Sequence, residues 1–184
     1  MGLLSDIKRR FFRRRLAQQL RQAAPAPAPG GGPLNPATAA SIAILFPADD
    51  AEDRKRVDRW RDQFRKSGKR IDVVGYFPGD VGQAAFDFVS VSQRTRNWYG
   101  APVGEDVEQF LRSPCDLLLS LAPPHHPQLD YLAALKPAAL KVGPRTAADD
   151  NPFHLQFDAR DPSVAAGLAA VERLFSFTNA TTPS

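Results

Sequence analysis

Short apolar runs alternate with helical stretches from residue 40 onward, and this alternation constrains the fold more than any other feature of the chain. The runs at residues 41–46 and 115–121 are almost wholly apolar, which is typical of strands that are buried on both faces. After the first run, Val57, Trp60 and Phe64 recur at helical spacing among charged residues. This order predicts an α/β fold, a single three-layer Rossmann-like or flavodoxin-like domain with a mostly parallel sheet.

The same pattern predicts the other elements and the limits of the domain. Further strands are predicted at residues 70–77, 86–90, 140–143 and 154–157, and helices at 50–67, 104–112, 129–135 and 164–177. We expect the domain to span residues 39–177. The polar tail at 178–184 is expected to be disordered.

A linker and a helical arm precede this domain. Residues 23–38 alternate Ala with Pro and then contain three glycines, so they form a semi-rigid extended chain with a flexible joint. Residues 3–22 contain neither Pro nor Gly and are rich in Leu, Arg, Gln and Ala, which are good helix formers. We therefore predict a helical arm at 1–22 that a linker at 23–38 joins to the domain.

The positive charge of the protein belongs to this arm. Residues 1–22 contain seven Lys/Arg against one Asp, a net charge of +6. The rest of the chain contains 17 Lys/Arg against 19 Asp/Glu, a net charge of −2. A basic tail on a slightly acidic body is the pattern expected when the tail docks on a polyanion.

Cations are distributed around several sides of the predicted arm helix, and this distribution favours RNA as the polyanion. The basic residues predicted to bind RNA are Lys8, Arg9, Arg10, Arg13, Arg14, Arg15 and Arg21. A helix buried in folded RNA can be basic on every side, because phosphates surround it, and Arg also stacks on bases. The expected partners are ribosomal RNA and ribosomal proteins in the cytoplasm of a bacterium.

An anionic membrane surface is the alternative for the arm, beside a protein partner or a solvated helix. A membrane-surface helix needs one clean apolar face. Leu3, Leu4, Ile7 and Phe11 share a face, but Phe12, Leu16 and Leu20 lie on other sides. No stretch is long and apolar enough to predict a transmembrane helix.

The loop around residues 97–102 contains two aromatic residues in a polar setting. Trp98 and Tyr99 are candidates for binding a partner, because exposed aromatic side chains often anchor an interface. Packing of both rings over the edge of the sheet is an equally open interpretation.

An enzyme is the rival hypothesis, with its site at the carboxyl ends of the strands. No phosphate-binding glycine loop follows the first strand. Asp49 and Asp50 stand there instead and are interpreted as helix caps rather than Mg²⁺ ligands. His125 and His126 follow the strand at 115–121 and are interpreted as loop residues, and Cys115 as a structural thiol. We therefore predict no catalytic residue, no metal site and no cofactor; the alternative is a small transferase-like or metal-dependent enzyme.

Several segments together resemble an uncharacterised family of Bacteroidota. The segments are the basic arm, residues 41–46, 69–76, 97–102 and 115–121, and the pair 131–135 with 140–143. The resemblance implies a basic N-terminal arm followed by one α/β domain and a bacterial cytoplasmic source, and it implies no catalytic residues. Residues 115–143 are also similar to one half of a two-domain glycosyltransferase.

Overall fold

The computed structural model describes residues 3–22, 33–82, 84–146 and 151–179. Within these ranges the chain forms five helices and six strands. In chain order they are α1 (Leu3–Gln22), β1 (Ser41–Pro47), α2 (Ala51–Arg65), β2 (Arg70–Tyr76), β3 (Val89–Val91), α3 (Glu105–Arg112), β4 (Cys115–Ser120), α4 (Pro127–Leu135), β5 (Ala138–Pro144), β6 (Leu155–Phe157) and α5 (Val164–Asn179).

All six strands form one parallel sheet in the order β3-β2-β1-β4-β5-β6. The predicted α/β fold with a mostly parallel sheet is confirmed, and the strand order is that of a Rossmann-like sheet. The chain moves outward from β1 to β3 and then returns to β4 on the other side of β1. The loops that follow β1 and β4 therefore diverge at the carboxyl edge of the sheet, where ligands bind in folds of this kind.

Both faces of the sheet are covered, which explains why its central strands are apolar throughout. Ile44 of β1 packs in one core cluster with Trp60 of α2 and Val171 of α5. Its neighbour Leu45 points to the opposite face and packs in a second cluster with Leu132 of α4. These two clusters form the interfaces between the three layers.

The third strand is shorter than the sequence predicts. The rings of Phe86 and Phe88, predicted to lie in this strand, pack instead on Phe77, with ring centroids 4.8 and 6.4 Å apart respectively. Asp87 lies between them and forms a salt bridge with the buried Arg61. Aromatic packing and this salt bridge therefore hold the segment out of the sheet until Val89.

The two ends of the domain also differ from prediction by a few residues. The predicted linker is described only from Pro33, and there Asn35 closes a turn by accepting the backbone N–H groups of Ala37 and Thr38 at 2.8 and 3.0 Å. Asn35 is buried, so contacts with the domain begin before residue 39. α5 continues to Asn179, past its predicted end, and residues 180–184 lie outside the described ranges.

Candidate functional site

The basic helix α1 is docked on the domain beside α4. The ring of Phe12 lies 5.2 Å from that of Tyr131, centroid to centroid, and the Tyr131 hydroxyl donates a hydrogen bond to Gln19 Oε1. Phe12 and Leu16 are both half-buried and pack against the second core cluster. These two residues, which disturbed the apolar face in the sequence, are the ones that attach the helix.

The aromatic loop provides the second contact with α1. Trp98 packs edge-on against Phe11, with ring centroids 5.1 Å apart, and against Tyr99 at 5.3 Å. The loop is held in shape by Asn97, whose side-chain oxygen accepts the N–H of Ala101 at 3.0 Å. Within the described residues, Trp98 therefore contacts the chain's own arm, while its binding of an external partner stays a prediction.

Docking divides the seven exposed cations of α1 between different sides of the helix. Successive residues turn by about 100°, so Arg10, Arg14 and Arg21 lie roughly opposite Phe12 and Leu16 and point away from the domain. None of these three arginines forms a salt bridge within the described part of the chain, whereas Arg9 pairs with Asp6 at 2.7 Å. We call Arg10, Arg14 and Arg21 the outward arginines.

The four remaining cations occupy the two flanks of α1. Lys8 and Arg15 lie on one flank, roughly a quarter turn from Phe11 or less. Arg9 and Arg13 lie on the other flank and line a cavity between the helix and the domain. The sequence suggested an RNA that surrounds the helix, but such an RNA would have to displace α1 from the domain. While α1 is docked, RNA can reach only its outward side and its flanks.

The cavity below α1 has a volume of about 440 Å³. It begins at the carboxyl edge of the sheet, beside the start of α4 and the end of β5, and extends along α4 to Ala134. One wall comes from α1 and the rest from the domain. The lining residues are Arg9, Phe12, Arg13 and Leu16 of α1, with Tyr99, His125, Pro127, Gln128, Asp130, Tyr131, Ala134, Thr146, Asn151 and Pro152 of the domain.

The cavity wall combines aromatic surface with polar groups. Burial raises the pKa of Tyr131 to about 12, and the hydroxyl donates its hydrogen bond to Gln19 Oε1, so Tyr131 presents its ring to the cavity. Thr146 and Asn151 are linked by a hydrogen bond of 3.1 Å between the Asn Nδ2 and the Thr Oγ1. The cavity therefore offers rings, neutral polar groups and the guanidinium groups of Arg9 and Arg13 to a ligand.

Of the two aspartates after β1, Asp50 is the cap of α2, and the cap role predicted for Asp49 is wrong. The side chain of Asp50 accepts the backbone N–H groups of Glu52 and Asp53 at 2.6 and 3.2 Å. This confirms Asp50 as the N-cap of α2. Asp49 is exposed, and its backbone carbonyl accepts a hydrogen bond from Arg54.

The two adjacent histidines have separate roles. His126 is the N-cap of α4, where its Nδ1 accepts the N–H of Leu129 at 3.4 Å, and its ring packs edge-on against Tyr76. Burial is the main cause that lowers the pKa of His126. His125 is exposed at the cavity, with a φ of 62°. The structure therefore does not bring the two rings to one catalytic or metal-binding point.

Lys136 is a fully buried cation that the sequence analysis missed. Its Nζ donates to the carbonyl oxygen of Phe110 at 2.5 Å, lies 3.9 Å from the centre of that ring, and is 3.9 Å from Asp72 Oδ2. Burial lowers the pKa of Lys136 and raises that of the neighbouring Cys115 thiol to about 11. These groups lie at the amino edge of the sheet, away from the cavity, and their contacts are structural.

Neither a metal cluster nor a membrane span occurs in the described ranges. No group of three or more His, Cys, Asp or Glu side chains among the described residues is placed to hold a metal ion. None of the described helices is both long enough and apolar enough to cross a bilayer.

Comparison with known proteins gives one match. The model of a family of unknown function, DUF6913, matches residues 8–166. The matched range includes most of α1 and the whole sheet. No curated protein and no solved structure matches the chain.

Proposed function

We propose that this chain, which belongs to the family of unknown function DUF6913, is a non-enzymatic protein that binds RNA through the outward side of α1. The observation that carries the proposal is the row of outward arginines, which are exposed and form no salt bridge with a described carboxylate. Lys8 and Arg15 add positive charge on one flank, beyond the exposed apolar residues Leu4, Ile7 and Phe11.

Docking of α1 prepares this basic row for binding. The contacts of Phe12, Leu16 and Gln19 fix the helix on the domain, so less conformational entropy is lost when RNA binds than for a free tail. Arginine suits phosphate because its planar guanidinium forms two parallel hydrogen bonds, and it also stacks on bases. The rest of the chain has a net charge of −2, so α1 supplies the electrostatic attraction.

The proposed RNA is ribosomal RNA, or a ribosomal particle with its proteins, in the bacterial cytoplasm. Ribosomal RNA is the most abundant polyanion of suitable structure there. The proposal predicts that the full chain sediments with ribosomal particles in a sucrose gradient and moves to the top of the gradient after RNase treatment. Sedimentation at the top of the gradient before RNase treatment would contradict the ribosomal assignment.

A second candidate function, binding to an anionic membrane surface, is favoured by one specific observation. Leu4, Ile7 and Phe11 are 75%, 38% and 46% exposed and form an apolar stripe between the outward arginines and the flank of Lys8 and Arg15, next to Trp98, which is 59% exposed. Cations flank this stripe, as in helices that lie in a membrane interface. The stripe ends at Phe11, however, and the following turns present Arg14, Gln18 and Arg21, so the charged surface is the longer one.

The deciding experiment compares matched triple variants of the full chain. Changing Arg10, Arg14 and Arg21 to Gln should reduce the slope of log K against log salt for a ribosomal RNA fragment by about 2–3, because about one phosphate contact is lost per residue. The control changes Arg56, Arg59 and Arg65, which are exposed on α2, to Gln. This control removes the same amount of charge from another side of the protein, so its salt slope for RNA binding should stay close to that of the unchanged protein.

Binding to vesicles separates the two candidates. Changing Leu4 and Ile7 to Ser, which keeps the contact of Phe11 with Trp98, should leave RNA binding nearly unchanged, whereas a membrane-bound helix would lose much of its buried apolar area. If the protein prefers vesicles with about 20% anionic lipid to RNA at equal salt, and this preference is lost with the Ser variant, the membrane function replaces the RNA function.

A further inference from the structure

We infer that the cavity between α1 and the domain is a binding site for a small organic phosphate with a planar ring, of nucleoside monophosphate size. The proposal is independent of RNA binding, because it concerns the inner flank of α1 and not its outward side. It rests on the place of the cavity in the fold, on its size and on the chemistry of its walls.

The position and size of the cavity both suit a ligand site. One end of it lies at the carboxyl edge of the parallel sheet, where His125 follows β4 and Thr146 follows β5, and open α/β folds bind their ligands at that edge. Its volume of about 440 Å³ lies within the range of roughly 300–1,000 Å³ that is usual for small-molecule sites. Phe12, Tyr99 and Tyr131 supply ring surface against which a planar group packs.

The charges of the α1 wall favour an anion there, because the lining has two arginines, both on α1, against one aspartate, Asp130. Arg9 and Arg13 approach the cavity from the same flank of α1, one helical turn apart. A guanidinium has five N–H donors, so the bond from Arg9 to Asp6 leaves donors for a phosphate. Two arginines bind a phosphate with charge-assisted hydrogen bonds, which are stronger than neutral ones.

The remaining polar groups suit a part of the ligand that carries hydroxyl groups. Asp130, Thr146 and Asn151 line the cavity from the domain, whereas both arginines belong to α1. Carboxylate and amide oxygens accept hydrogen bonds from hydroxyl groups, whereas Asp130 would repel a phosphate. This arrangement orients a ligand with its phosphate toward α1 and its sugar-like part toward the domain.

The cavity depends on the docked position of α1, because four of its lining residues belong to that helix. A ligand that contacts both walls binds the docked state more tightly than an undocked state. It therefore stabilises docking by mass action and raises the melting temperature of the full chain.

The test uses calorimetric titration of the full chain with AMP, GMP, CMP and UMP, and with inorganic phosphate and adenosine as partial ligands. We expect at least one nucleotide to bind, and to bind more tightly than inorganic phosphate or its nucleoside. Changing Arg9 and Arg13 to Gln should weaken that binding by at least about tenfold, since hydrogen bonds to charged groups are lost. The matched variant with Arg10 and Arg14 changed to Gln should bind the nucleotide as the unchanged protein does.

A second variant narrows the cavity without removing charge. Ala134 lines the cavity from α4, and Ala134→Leu narrows it, so this variant should weaken nucleotide binding and reduce the accompanying rise in melting temperature while leaving RNA binding intact. The proposal is overturned if none of the four nucleotides binds, if inorganic phosphate binds as tightly as they do, or if the Arg9/Arg13 and Arg10/Arg14 variants lose nucleotide binding equally.

Discussion

His126 couples the start of α4 to pH. Its neutral ring accepts the Leu129 N–H through Nδ1, and this bond is lost when the nitrogen is protonated. Burial is the largest cause that lowers its pKa, so the folded protein binds the proton less readily than the unfolded chain does. The resulting stability is therefore present above the unfolded pKa, about 6.5, and is lost as pH falls through the lower folded pKa.

Replacing His126 by Asn should remove this pH dependence. Asn keeps an N-cap acceptor but does not titrate. The free energy of unfolding in urea should therefore fall less between pH 7.5 and pH 5 for His126→Asn than for the unchanged protein. His125→Asn is the control and should behave like the unchanged protein. An equal loss of stability in both variants would show that His126 is not the titrating group.

The stability of the protein should depend more on the buried aliphatic part of the Lys136 side chain than on its charge. Lys136→Met removes the donor to the Phe110 carbonyl, which costs about 1–3 kcal/mol when a buried acceptor is left unpaired. Lys136→Ala removes that donor and also leaves a cavity, for a total nearer 3–5 kcal/mol. Urea unfolding at pH 7 should rank the stability as Lys136 above Met above Ala. An Ala variant as stable as the Met variant would contradict the burial of the stem.

At the scale of elements, the sequence pattern predicts that α1 is a helix but not where the helix docks. Its helical conformation follows from its composition, but its docking depends on Phe12 meeting Tyr131, a contact that spans the linker. Apolar periodicity reveals that a helix has an apolar side, yet it does not say which distant surface covers that side. In the sequence, Phe12 and Leu16 lie outside the apolar face that a membrane helix would need. In the structure they are the residues that pack on the domain.

The strands were easier to predict than their order and their edges. β1 and β4 are covered on both faces, so their sequences are almost continuously apolar. The same runs fit a Rossmann-like or a flavodoxin-like order, because strand order depends on crossover connections that leave no local signal. Lys136 was missed for a similar reason, since its acceptor on Phe110 is distant in sequence.

Weakening the docking contacts should release α1 without unfolding the domain. Changing Phe12 and Leu16 to Ala removes apolar area that is half-buried against the second core cluster. We expect trypsin to cut at the arginines of α1 several-fold faster, because local unfolding of the helix becomes more frequent. The control changes Leu4 and Leu20, which are exposed, to Ala and should leave the cleavage rate nearly unchanged. Equal protection of all three proteins would contradict the docked position.

At the scale of the whole molecule, charge and fold are divided between two parts of the chain. The helix α1 contributes +6 and the remaining chain −2, while the sheet and both core clusters belong mainly to the domain. Removing α1 therefore tests whether binding and folding can be separated. The natural place to begin the shortened chain is Pro33, because the turn at Asn35 packs with the domain.

The chain that begins at Pro33 should fold but lose RNA binding. Its circular dichroism should retain the signature of an α/β domain, with a lower melting temperature because Tyr99 and Tyr131 lose the cover of Phe12 and Leu16. In about 0.1 M salt its affinity for ribosomal RNA should fall by orders of magnitude, since several phosphate contacts vanish together. The shortened chain should also lose nucleotide binding, as Arg9 and Arg13 are removed with α1. If it binds RNA as the full chain does, the binding surface lies on the domain and the role assigned to the outward arginines is wrong.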